Sequence, residues 1–157
     1  NTSKKIISIT LRESSYHEER NSQINDWKDF ISFLEKKNYF VIVIRDSEKI
    51  YLDNLFEANN IFPQASHDLF LRSAIYKISQ INYFVSGGPS LICWCNNYKS
   101  VNFKLWGIKQ ERAQYEDNMH LERDQQSRIL DKNHHFFLSD IDNISNLTKF
   151  YEENLSN

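Results

Sequence analysis

The chain has 157 residues, the size of one ordinary domain, and is 40% hydrophobic, 25% charged and 14% aromatic, which excludes a chain too polar to bury a core. Its 19 basic and 21 acidic side chains give a formal charge of -2 with no long basic run, so nucleic acid is not expected as a partner. With only 3 Gly and 2 Pro, collagen-like and low-complexity classes are excluded as well. In chain order, Ile6 to Leu11 (IISITL) is a short β-branched run that predicts the first strand. Trp27, Phe30, Ile31 and Leu34 then recur at steps of three and four, the signature of an amphipathic helix, with Asn21 or Ser22 available as its N-cap. Tyr39 to Ile44 (YFVIVI) predicts a second strand, and because neither run alternates with polar residues both read as buried on two faces. A helical stripe at Leu71, Ala74, Ile75 and Ile78 leads to a strand at Tyr83 to Val85 and a glycine-proline break. Further strands are expected at Val101 to Leu105 and near Phe136 to Leu138, and a closing helix at Ile144, Leu147, Phe150, Tyr151 and Leu155.

From Ile108 to His135 apolar residues thin out and 6 acids alternate with 5 bases, which predicts a solvated helix or a long surface excursion. The strand-helix alternation predicts an α/β fold, a Rossmann-like three-layer sandwich with a mostly parallel sheet, formed by residues 1–157 as a single domain. The competing expectation is an α+β domain with mixed strands. Two cysteines, Cys93 and Cys95, are too few and too close for a secreted disulfide scaffold and fit a reducing, cytoplasmic setting. No apolar stretch approaches the ~20 residues of a membrane helix, so no membrane span is expected. The chain starts at Asn1 without an initiator Met, and the expectation is a part of a longer protein.

In an open α/β sheet the ligand lies beyond the carboxyl ends of the strands, so residues that follow each strand are the candidates. Arg12 follows the first strand, where its guanidinium either clamps phosphate oxygens or pairs with a nearby acid. After the strand at Tyr83 to Val85 come Ser86, Gly87, Gly88, Pro89 and Ser90. Glycines permit close backbone approach, Pro89 fits the first turn of a helix, and such a turn presents N–H groups to an anion or simply connects strand to helix. Asp68 opens a helix as an N-cap, and it also sits in a polar cluster with His67 that can face a ligand. No metal site is expected, because Cys93-Trp94-Cys95 has the wrong spacing for a zinc knuckle and His134-His135 lacks a metalloprotease context. On a helix the two cysteines point about 200° apart, and both are expected as buried thiols. Hydrolase chemistry is not expected, since no Gly-x-Ser-x-Gly elbow occurs.

The segments ISITLRESSYHEERNS and DLFLRSAIYKISQINYFVSGGPS, with the strand Val101 to Leu105 after them, resemble the C-terminal, nucleotide-sugar-binding half of GT-B glycosyltransferases, fucosyltransferase-like or heptosyltransferase-like. The resemblance spans roughly residues 6 to 106. It implies that Arg12 contacts the donor phosphates, Asp68 the nucleoside or sugar hydroxyls, and Ser86 to Ser90 the diphosphate, with a nucleotide sugar as ligand, no further cofactor, and an acceptor-binding domain or chain as partner. Thr10-Leu11-Arg12-Glu13 replaces the His-x-Arg-Arg form of the fucosyltransferases, so the sugar does not carry over. The paired Glu motif of many retaining members is also absent around the glycine turn, which implies inverting chemistry with a catalytic residue that this chain does not identify. A non-catalytic nucleotide-binding or protein-interaction module is the alternative. A methyltransferase or dehydrogenase fits less well, because Arg and Glu follow the first strand where such folds carry a glycine-rich turn.

Overall fold

The computed structural model describes residues 4–51, 56, 61–85, 87–104, 133–136 and 141–156. Five strands, β1 (Lys5–Thr10), β2 (Tyr39–Ile44), β3 (Ile81–Val85), β4 (Ser100–Phe103) and β5 (His134–Phe136), form one sheet in the order β2-β1-β3-β4-β5. Every pair is parallel. The helices are α1 (Ile24–Lys36), α2 (Leu69–Ile78), α3 (Ser90–Asn96) and α4 (Ile144–Asn154). A single parallel bridge between Val43 and Ile61 extends the sheet outside β2. Counted as a strand position, Ile61 turns the order into 3-2-1-4-5-6, the arrangement of doubly wound dinucleotide-binding sheets.

The unbroken apolar runs have the burial expected of strands covered on both sides. Ile7, Ile9, Val41, Val43, Tyr83 and Val101 face one cluster with Trp27, Phe30 and Leu34 of α1 and Leu147 and Phe150 of α4. Ile42, Ile44 and Phe84 face the other, under Ile75 and Tyr76 of α2 and Cys93 of α3. The result is three layers, with each fully buried Ile or Phe side chain contributing about 1.5–3 kcal/mol over an exposed one. In the first layer Trp27, Phe30 and Tyr83 pack ring against ring, the Phe30 and Tyr83 centroids 5.1 Å apart.

A row of polar residues crosses the second face. Ser8, Asn82, Ser100 and His134 are successive register partners across β1, β3, β4 and β5, and all four are buried. The Ser8 hydroxyl donates to Asn82 Oδ1, the Asn82 amide donates to the Lys99 and Tyr76 carbonyls at 2.9 and 3.1 Å, and Ser100 Oγ lies 2.9 Å from His134 Nδ1. A slip of one residue would carry these groups to the apolar face and leave them unpaired, so the row fixes the register.

The sequence expectations differ from the structure at several ends. β4 stops at Phe103, and Lys104 turns into the left-handed region at φ 49°. β5 begins at His134, two residues before the expected strand; Phe137 to Asp140 and Leu105 to Lys132, including most of the charged excursion, lie outside the described residues. Asn21 and Ser22 do not cap α1; Gln23 precedes it and makes no side-chain capping bond. Cys93 is buried but Cys95 is exposed, as two helical positions on opposite sides require. Among the described residues no helix is long and apolar enough to cross a membrane.

His135 lies on the opposite face to His134, edge-on to the Phe150 ring at 5.1 Å. Burial and the nearby Lys99 cation lower its pKa below 6.5. A folded-state value below the unfolded one means that the unfolded chain binds the proton first, so this group removes stability as pH falls below about 6.5. Urea midpoints measured from pH 7.5 to 5 should therefore fall less for His135→Gln than for the parent; equal slopes would show that His135 does not contribute.

Candidate functional site

The chain leaves β1 toward β2 on one side and leaves β3 toward β4 on the other, so the crevice between the carboxyl ends of β1 and β3 is the topological switch point. A cleft of about 170 Å³ lies there, lined from β1 by Thr10, Leu11 and Arg12, after β2 by Arg45 and Asp46, from α2 by Arg72, and after β3 by Gly87, Gly88 and Pro89. Four chain segments far apart in sequence thus meet with three guanidinium groups. A second hollow of about 330 Å³ adjoins at Arg12 and is lined by the loop 13–22 with Ile24 and Lys49.

The loop that carries Arg12 is closed on itself. Arg12 N–H donates to Ser22 Oγ and Ser22 N–H to the Arg12 carbonyl, both at 2.9 Å. The Asn21 amide bridges both backbone groups of Ser14, accepting from its N–H at 3.0 Å and donating to its carbonyl at 2.8 Å. These bonds explain why Asn21 and Ser22 are not at the helix cap. Lys104 Nζ reaches the Asn21 carbonyl and Asp142 Oδ1, each at 2.7 Å. Asp142 is fully buried, and its Oδ2 accepts from Trp27 Nε1 at 2.6 Å and Gln23 N–H at 2.9 Å. The loop is therefore fastened to α1 and to the segment before α4.

Arg12 is half-buried and donates through Nη2 to the Tyr16 carbonyl, while Nε is buried with no partner among the described residues. Burial and the Arg20 cation lower its pKa, and Asp46 and Glu19 raise it; a guanidinium stays charged under such shifts. No ion pair of Arg12 occurs among the described residues, so the competing expectation of an acid at the sheet edge lacks its carboxylate contact. Arg45 differs. Its Nε and Nη2 lie 2.9 and 2.6 Å from the two carboxylate oxygens of Glu13, with Arg45 only 1% exposed.

Neither cleft glycine has a positive φ. A Cβ at Gly88 would meet nothing within 4 Å, and one at Gly87 would make ordinary contacts at 3.6 and 3.8 Å. The local backbone thus does not require glycine, and what its absence of side chain leaves is open space beside the cleft. Ser90 is buried and donates to the Gly87 carbonyl at 2.8 Å, which closes the turn. Ser86 lies outside the described residues. Asp68 caps α2, accepting from Phe70 and Leu71 N–H at 2.9 and 3.0 Å, and does not line the cleft. Of the sequence candidates, the structure brings together Arg12, Gly87, Gly88 and Pro89 and leaves Asp68 and Ser90 in local bonds.

Arg45 and Arg72 were not among the candidates. Arg45 follows β2 as Arg12 follows β1, so the rule that selected Arg12 selects it too. Arg72 shares the buried side of α2 with Ile75 and Tyr76, a spacing of three and four that sequence alone assigns to core residues. Among the described residues no three His, Cys, Asp or Glu side chains gather to hold a metal ion.

The chain matches no family model, no curated protein and no solved structure in the comparisons. It is an α/β domain with a five-stranded, all-parallel, Rossmann-like sheet and a cationic cleft at its switch point.

Proposed function

We propose that the chain is a nucleotide-sugar-binding domain of a glycosyltransferase, inverting and metal-independent, whose acceptor-binding part lies in another domain or chain. The observation that carries the reading is the meeting of Arg12, after β1, and Gly87-Gly88, after β3, in one cleft at the switch point. Guanidinium groups and open backbone are what a diphosphate requires, and they stabilise the charge that develops on it as a leaving group. The cleft is smaller than the ~300–1,000 Å³ of small-molecule sites, so in this reading it takes the diphosphate alone. The nucleoside and sugar extend into the hollow beyond Arg12 and toward the acceptor part. In an inverting transfer a base takes the acceptor's proton as the sugar is attacked, and in this reading that base comes from the partner.

A non-catalytic nucleotide-binding module is the second reading, and the same cleft of three arginines and two glycines supports it. Calorimetric titration with GDP, UDP and ADP tests the binding shared by both readings. One nucleotide is expected to bind, with Arg12→Ala weakening it about 10- to 100-fold. Gly88→Ala should weaken it as well while leaving the unfolding midpoint unchanged or slightly higher, because the methyl group meets ligand and not protein. No heat with any nucleotide, or binding indifferent to both substitutions, would sink the proposal.

A further inference from the structure

We infer that Arg72 is the principal anion anchor of the cleft, holding one phosphoryl group of the ligand through its two terminal nitrogens. The inference rests on the reading that the cleft takes a phosphate ester, and it assigns that role to a residue on α2.

Arg72 is 7% exposed, and it lines the cleft. A guanidinium taken out of water needs partners for its five N–H groups. Arg45, more deeply buried, has two oxygens of Glu13 as partners. Arg72 has one: Nε donates to the Ala65 carbonyl at 2.6 Å, and its terminal nitrogens have no partner among the described residues. Neither terminal nitrogen is among the fully buried unpartnered atoms, so both open onto the cleft from a side chain that is otherwise buried, with no counter-ion beside them among the described residues. A negatively charged ligand in the cleft supplies that counter-ion.

The geometry also fixes the guanidinium before any ligand arrives. Ala65 belongs to the short turn Pro63–Ser66, whose Ser66 hydroxyl donates to the Arg45 carbonyl at 2.8 Å. One turn therefore ties both arginines to the end of β2 and holds the Arg72 plane through Nε, leaving the two terminal nitrogens as a fork. Such a fork matches two oxygens of a phosphoryl group, and its prior fixation lowers the entropy lost on binding. The number of donors narrows the class of ligand. Arg12 and Arg72 both lack an ion-pair partner among the described residues, and Asp46 is the one carboxylate on the lining there. A phosphoryl group has oxygens for the fork of Arg72 and for Arg12 together, whereas the two oxygens of a carboxylate are taken up by one fork.

Pyrophosphate is the probe, titrated by calorimetry into the whole chain and into Arg72→Gln and Arg72→Lys. The expected result is saturable binding to the parent, weakened about tenfold or more by Arg72→Gln and several-fold by Arg72→Lys, which keeps the charge but not the fork. If Arg72→Gln does not fold, nitrogen-15 spectra of the parent replace it: pyrophosphate should move the Arg72 Nε–H resonance. Parent-like affinity in a folded Arg72 variant, an unmoved resonance at saturation, or no binding of pyrophosphate to the parent overturns the anchor. The outcomes separate from those of the nucleotide reading. Pyrophosphate binding that depends on Arg72, with no nucleoside diphosphate bound, keeps the anchor and removes the nucleotide. Nucleotide binding lost in Arg12→Ala but intact in both Arg72 variants does the reverse.

Discussion

Glu13→Ala is expected to lower folding stability by about 3–5 kcal/mol, because it leaves a buried guanidinium without its carboxylate. Arg45 is 1% exposed and shares both oxygens of Glu13 in a two-point contact. The pair itself need not add much to stability, since taking both charges out of water offsets most of their attraction. The asymmetry appears when one partner is removed: the cation stays buried while the attraction is gone. Phe56, whose ring centroid lies 5.7 Å from Arg45 Cζ, replaces only part of it. Urea unfolding at constant slope measures the loss, and a loss below about 1 kcal/mol would place the pair among exposed contacts of little weight. Because Arg45 also lines the cleft, the variant leaves its cationic charge without the Glu13 carboxylate where phosphate is proposed to bind. Inorganic phosphate should therefore raise its unfolding midpoint more steeply than it raises that of the parent. Equal slopes would mean that Arg45 stays remote from the bound anion.

What could be read from sequence followed the reach of each signal. YFVIVI gave β2 its limits because Asn38, at φ 66°, and Arg45 bound an unbroken apolar run. The start of β3 was obscured by Asn82, a polar residue that a parallel neighbour satisfies through Ser8. The two histidines of β5 likewise hide a strand whose first member is hydrogen-bonded to Ser100 across the sheet. Strand order is a long-range property: only the path of α2, from the Ile61 edge back to β3 beside β1, puts the switch point where it is. Arg12 was legible because a position after a strand is local information. Arg72 was not, because its meaning comes from a turn that precedes α2 and a cleft whose other walls follow β1, β2 and β3. Asp68 had two sequence readings, and its bonds to Phe70 and Leu71 are those of the capping one.

Asp142→Ala is the second substitution with a large expected effect, about 3–5 kcal/mol of folding stability, again from breaking a buried ion pair. Its reach exceeds that of one contact. The carboxylate accepts from Trp27 Nε1 and Gln23 N–H and pairs with Lys104 Nζ, which in turn holds the Asn21 carbonyl. Ser22, between these two anchored positions, fixes the Arg12 backbone in both directions. Loss of Asp142 therefore loosens the loop that presents Arg12 even though the carboxylate does not line the cleft. Trp27→Phe provides the comparison, since it removes one donor to Asp142 and leaves the Lys104 pair in place. Both variants should lose stability, but Asp142→Ala should also weaken pyrophosphate binding, and Trp27→Phe should do so much less. A double-mutant cycle over the two positions gives the Trp27–Asp142 coupling directly. Equal weakening of binding in both variants would show that the loop responds to α1 packing as a whole and not to the Asp142–Lys104–Asn21 chain. Unchanged binding in a folded Asp142→Ala would show that the reciprocal bonds of Arg12 with Ser22 are sufficient to present the guanidinium.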